Sequence, residues 1–246
     1  MDSGIDRPSQ PLWVDAEESA DISAGIISQN ESGESGPVQL EIPSELAILP
    51  IRNGVAFPGT VMPLMIGRER SKNLLDDILP EIKVLGIFTQ KDPQVDDPGF
   101  DDIYSVGCAC IVLKLLKLPE GNLSIVVHGL TRVAIEKGLG VEPYHRAVVR
   151  TVKNQVEPSK ELDALILSVR ETAGKIITFS PNVPNEAGLV LDNITDPGSL
   201  SDFLAANVTA KLEDKQELLE MQNVKSRFSK LADLMGRQVE VLELSN

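Results

Sequence analysis

Glu45–Ser71, ELAILPIRNGVAFPGTVMPLMIGRERS, decides the fold. Two short apolar runs, Leu46–Ile51 and Val61–Ile66, flank Asn53-Gly54 and Pro58-Gly59. These are turn dipeptides, because Asn and Gly tolerate positive φ and Pro presets the bend. The pattern reads as strand, Pro-broken loop, strand. Gly67 interrupts the second run, and a helical pattern follows over Arg68–Leu79, with Leu74, Leu75, Ile78 and Leu79 on one face.

Working outward, residues 84–152 continue as strands. Val84–Gln90 is a buried-type strand, and Lys91–Asp102 is a polar loop with two prolines. Val106–Leu118 is a long strand, Pro119–Asn122 a hairpin turn, and Leu123–Val127 the antiparallel return. Gly129 marks a bend or bulge before Arg132–Glu136, and Arg146–Val152 is the last strand. Short strands and tight turns favour a small barrel or paired sheets. Beyond Pro158 the period changes to helical. Leu162, Leu165, Ile166, Val169, Ala173, Ile176 and Ile177 share one face, Asp196-Pro197 starts another helix, and Glu213–Met221 is a short one. Val224, Phe228, Leu231, Met235, Val239 and Leu242 line a long final helix.

The expected fold is therefore α+β: a β-rich pseudobarrel over residues 45–153, then an α-helical bundle over 154–246 that ends in a long helix. Residues 1–44 form an acidic tail with too little apolar surface to offset ordering entropy, so disorder is expected there. Two apolar stretches interrupt it, Leu12-Trp13-Val14 and Ile22–Ile27. Trp13, the only Trp of the chain, is either a chance apolar residue or a docking motif.

The chain has 246 residues and a net charge of −14. Residues 1–45 hold ten acidic residues against one Arg, a net of −9, so residues 46–246 carry only −5. A nearly balanced folded part, with 4% aromatic residues, argues against nucleic acid as a partner and offers no general attraction to anionic lipid. No apolar run reaches the ~18 residues of a membrane span, and the polar, acidic start lacks the pattern of a signal peptide. A cytoplasmic setting is the expectation.

Several separate motifs in order carry a resemblance over roughly 200 residues. They are Leu49-Pro50-Ile51-Arg52, Phe57-Pro58, Pro63-Leu64, Gly67-Arg68-Glu69-Arg70-Ser71, Gln90-Lys91-Asp92, and Asp102-Ile103-Tyr104-Ser105-Val106-Gly107. Leu118-Pro119-Glu120-Gly121, Val126–Arg132, Asp196-Pro197, Lys215–Glu220 and Arg227-Phe228 follow. Together they resemble the N-terminal, substrate-binding domain of the ATP-dependent Lon protease family; His128 stands where that family commonly carries Glu. The resemblance implies a PUA-like barrel and a module that engages unfolded or damaged proteins. It also implies assembly with other subunits of the same protein, as a homo-hexamer at full length. The final helix would run on into an ATPase ring and a Ser–Lys protease domain beyond residue 246, so residue 246 is read as a boundary within a longer protein. ATP and Mg²⁺ would belong to that ATPase domain. The alternative is a free-standing Lon-type or PUA-like module that binds protein or RNA.

The chain's own motifs agree with a binding role. It has no G-x-x-x-x-G-K-[ST], G-x-S-x-G, H-E-x-x-H or G-x-G-x-x-G, so no catalytic, metal or cofactor residue is nominated. Cys108 and Cys110, two apart on a strand, read as small buried hydrophobes, and His145 as a satisfied or exposed histidine. The candidate partner-binding residues are Pro58, Met62, Pro63 and Met65, with Arg68, Glu69 and Arg70 as a charged rim. Met is adaptable at promiscuous surfaces, and Pro interrupts pairing. Met62 and Met65 are equally readable as core, and strand alternation puts them on opposite faces, so at most one is exposed. Two arginines at a helix N-terminus oppose its dipole, which points either to a solvated first turn or to a partner contact.

Overall fold

A computed structural model describes residues 41–79, 81, 84–184 and 186–245. The expectations for Leu12–Val14, Ile22–Ile27 and the bulk of the acidic tail lie outside the described residues. The elements are β1 (Glu45–Ile51), β2 (Val61–Ile66), α1 (Glu69–Ile78), β3 (Leu85–Thr89), β4 (Val106–Lys117), β5 (Leu123–Gly140) and β6 (His145–Thr151). Then come α2 (Lys160–Phe179), α3 (Ala187–Asn193), α4 (Pro197–Asn207), α5 (Leu212–Glu220) and α6 (Val224–Ser245). This is the expected α+β arrangement.

The six strands run in the order β2-β5-β4-β3-β1-β6, and a further β5–β6 pairing closes five of them into a barrel. β5 makes closure possible because it is long. Leu123–His128 pair with β2, while Val133–Gly140 pair with β6. The bend or bulge expected at Gly129 is present, and it lies within one continuous strand. Cys110 opposes Gly129 and Ala109 opposes Thr131, so Leu130 is the extra residue of a bulge and β5 bends without breaking. Glycine is required at 129 because a Cβ there would lie 2.2 Å from the Phe57 carbonyl oxygen.

α1 covers one face of the sheet, with Leu74, Leu75 and Ile78 packed on Leu49, Ile87, Cys108, Cys110, Ile125 and Val127. Leu46, Ile48, Phe88, Ala109, Val133 and Ala147 fill the other side. Cys108 and Cys110 therefore share a face as expected, and both are buried free thiols. A hydrogen bond with Cys108, and then burial, push the Cys110 thiol well above its ordinary range.

The helical half packs α2 against α6 around Val169, Ala173, Phe228, Leu231 and Met235. Ser159 caps α2 by accepting from the Leu162 amide at 3.1 Å. Asp196 caps α4 by accepting from the Ser199 amide at 2.8 Å, and Pro197 takes the first turn, where its missing N–H costs nothing. α3 has no counterpart in the sequence reading: seven residues containing Gly188 are too short for a readable period. The halves are joined through the β1–β2 loop. Its Val55 and Phe57 enter the helical core, with Phe57 fully buried.

Candidate functional site

β2 is an edge strand, paired among the described residues with β5 alone. Cross-strand partners share a face, so the register lays three rows on the outside of β2, β5 and β4. The first row is Val61–His128–Ile111, the second Pro63–Val126–Lys114, and the third Met65–Ser124–Leu116. The first is buried. In the third, Met65 is 72% and Leu116 55% exposed, each large, apolar and open to solvent on either side of Ser124. Exposed Pro63 and half-buried Val126 link the two ends. The result is an apolar strip about three strands wide, carrying one cation, Lys114, and no carboxylate in its rows.

The strip stays open for local reasons. Pro63 has no N–H, which confines it to an edge, and it keeps β2 from recruiting another strand indiscriminately. At the buried end, the His128 Nδ1 has no hydrogen-bond partner, and burial lowers the pKa of its ring, which favours the neutral form.

The structure brings together two of the nominated residues, Pro63 and Met65. Met62 turns inward and packs on the core beneath α1, so one methionine is exposed and one is not, as alternation requires. Pro58 sits elsewhere, in a cleft of about 340 Å³ between the halves, beside Thr131, Lys153 and Ser199. Among the described residues Glu69 pairs with Lys72, at 3.5 Å. The two arginines have partners within the chain. Arg68 donates to the Pro50 carbonyl at 3.5 Å and to Gln90 Oε1, and burial lowers its pKa. Arg70 pairs with Asp97 and Glu142. Within the chain, Arg68 is therefore held by β1 and Gln90, and Arg70 by the 91–102 loop and the turn before β6. Leu116, Val126 and Lys114 join the strip only through register, because a continuous apolar run does not reveal which face of a strand is left uncovered.

Other chemistry-bearing residues are structurally engaged. His145 is buried, donates from Nε2 to the Pro98 carbonyl at 2.7 Å, and meets Phe100 edge-on. Behind the 340 Å³ cleft, Arg132 and Arg227 share the carboxylate of Asp202. Among the described residues no cluster of His, Cys, Asp or Glu has the makings of a metal site, and no helix is long and apolar enough to cross a membrane.

Residues 45–237 match the family described as the ATP-dependent protease La (LON) substrate-binding domain. The chain is 39% identical over 207 residues to a Lon protease of Anaeromyxobacter dehalogenans, covering 84% of this chain and 25% of that protein. It is 38% identical over 207 residues to Lon protease 2 of Myxococcus xanthus, with 84% and 25% covered. The chain thus spans about a quarter of the length of the curated relatives it matches. Its fold is similar to the N-terminal domain of a Mycobacterium avium complex Lon protease, with a TM-score of 0.63 at 20% identity over 78% of this chain and 98% of that one. A Lon N-terminal domain protein from Xanthomonas campestris gives a TM-score of 0.56 at 14% identity, over 77% and 97%.

Proposed function

Since the chain belongs to the ATP-dependent protease La (LON) substrate-binding domain family, we propose that it captures unfolded or damaged protein segments on the outer face of β2, β5 and β4. The observation that carries this reading is the juxtaposition of Met65 and Leu116 across Ser124. Native proteins bury their apolar segments and unfolded ones expose them, so an open apolar strip discriminates by folding state. Met65 adapts to side chains of different shape. Pro63 and Val126 extend the surface, while Pro58, Met62, Arg68, Glu69 and Arg70 support the elements around it.

In this reading the chain is the non-catalytic receiving module of an ATP-dependent serine protease. ATP, Mg²⁺ and a Ser–Lys pair act in other domains of the parent protein. Several copies on a ring, a homo-hexamer in this proposal, add weak contacts into useful avidity. The proposed setting is the cytoplasm, a reducing compartment that suits the two free thiols. The RNA-binding alternative loses ground because the strip's rows hold one Lys and no aromatic side chain for base stacking.

The test is binding of a reduced, alkylated, permanently unfolded protein to the M65D/L116D variant. Fully burying one such side chain is worth about 1.5–3 kcal/mol, so losing two that are each partly buried by a bound segment should weaken binding about tenfold. Circular dichroism identical to wild type is the control. Unchanged binding by the folded variant overturns the reading.

A further inference from the structure

The strip has a second chemistry beside its apolar one. Lys114 lies within it, and Lys117 is exposed at the adjoining strand end. No carboxylate stands in its rows. A ligand that matched it would place a short apolar group next to acidic residues. One segment of this chain has that order: Pro11–Asp21, PLWVDAEESAD, where Leu12-Trp13-Val14 precede Asp15, Glu17, Glu18 and Asp21.

We propose that this N-terminal segment is an internal competitor for the strip. Leu12-Trp13-Val14 seat on Met65 and Leu116, and the following carboxylates turn toward Lys114 and Lys117. The proposal rests on the reading of the strip as the substrate surface and adds its regulation. Substrates must displace the chain's own segment, so weakly apolar, near-native proteins are refused and only strongly apolar segments gain entry.

Reach permits it. Twenty-six residues separate Val14 from Glu41, where the described chain begins beside β1. Fully extended they span roughly 88 Å, and as a flexible linker roughly 28 Å root-mean-square, against a radius of gyration of about 17 Å for a domain of this size. Such a tether holds the segment at an effective concentration of about 1 mM. A segment with an intrinsic dissociation constant of about 0.1–0.5 mM would then weaken substrate binding about three- to tenfold. That is strong enough to filter and weak enough to yield.

Trp13 is the only Trp, so its fluorescence reports this contact without labelling. In the full chain its emission should be blue-shifted and shielded from acrylamide. In the folded M65D/L116D variant it should match a free peptide of residues 1–25. The L12S/W13S/V14S variant of the full chain should bind an unfolded, alkylated protein about three- to tenfold more tightly than wild type. Peptide-like emission in the wild type, or emission insensitive to M65D/L116D, overturns the proposal, as does unchanged binding by L12S/W13S/V14S. A blue shift that disappears on dilution together with a sedimenting dimer also overturns it, in favour of a contact between two copies. M65D/L116D placed in the L12S/W13S/V14S background separates the two ideas. Loss of binding there upholds the substrate surface whether or not the segment competes for it.

Discussion

The guanidinium of Arg132, on β5, grips the carboxylate of Asp202, on α4, through two parallel hydrogen bonds of 2.9 and 2.5 Å. The side chains are 2% and 4% exposed. Arg132 also donates from Nε to the Leu219 carbonyl at 2.8 Å, so one strand residue is bonded to both α4 and α5. From α6, Arg227 approaches the same carboxylate at 3.7 Å and reaches Ser201, Asn154 and the Met221 carbonyl. Two buried cations share one anion. Desolvation and the neighbouring Arg132 lower the Arg227 pKa to about 10. The ion pair ties the strand half to the helical half, and the cost of desolvating its charges offsets much of their mutual attraction.

From this asymmetry the two partners should respond differently to mutation. Asp202→Asn strips both arginines of their counter-charge and should cost about 3–5 kcal/mol. Arg132→Met leaves Asp202 with Arg227 and should cost less, about 2–3 kcal/mol. Urea unfolding of both variants checks the order. Equal costs would mean that Arg227 does not compensate.

Gly129→Ala should be among the most damaging small substitutions. The new methyl would fall 2.2 Å from the Phe57 carbonyl oxygen and 2.9 Å from its carbon. Relief requires the β1–β2 loop to move off β5, which strains the Gly59 N–H to Gly129 O and Gly129 N–H to Thr60 O bonds, both 2.9 Å. It also pulls Phe57 from the helical core. The expected loss is about 3 kcal/mol, read as a fall in the urea midpoint.

These two sites show where sequence was and was not informative. The turn dipeptides of residues 45–71, the change from strand to helix period after Pro158, and the Asp196-Pro197 cap are local features, and each appears in the structure where the residues put it. The Arg132–Asp202 pair bridges 70 positions, and charged residues are ordinarily exposed, so nothing local marks either as buried. The strip was half legible. Val61–Ile66 is apolar at every position, so period 2 gives no inside and no outside; Pro63 alone marked β2 as an edge. Leu116 became visible only once register placed it across from Ser124 and Met65.

Lys215 should give the stability curve a rise at alkaline pH. It is partly buried, its Nζ donates to the Ala206 carbonyl at 3.0 Å, and desolvation lowers its pKa from 10.5 to about 8. Between those values the unfolded chain holds this proton more tightly than the folded one, so stability rises with pH. The cost of burying the ammonium is fully present below about pH 8 and gone above the unfolded value. Urea unfolding of wild type and Lys215→Met, compared at pH 7.5 and pH 10, isolates the effect from other titrating groups. The wild type should gain on the order of 1–2 kcal/mol relative to the variant across that interval. A constant difference would mean that the ammonium is hydrated in the folded protein.

The arginines at the start of α1 should prove separable from protein binding. Arg68→Glu would set a carboxylate against the Pro50 carbonyl and Gln90 Oε1, both acceptors. Arg70→Glu would set one against Asp97 and Glu142. The damage falls on the 91–102 loop, which these side chains help to anchor, and should appear as faster amide exchange there. Arg70 and its partners are partly or largely solvent-exposed, so its pairs contribute little to global stability and the double variant should still fold. Met65, in contrast, has no role in the core that its exposure would conceal. The folded R68E/R70E variant should therefore bind an unfolded, alkylated protein within a factor of about two of wild type, whereas M65D alone should lose about fivefold or more. Equal losses in the two would return Arg68 and Arg70 to the binding surface and make the apolar strip only part of it.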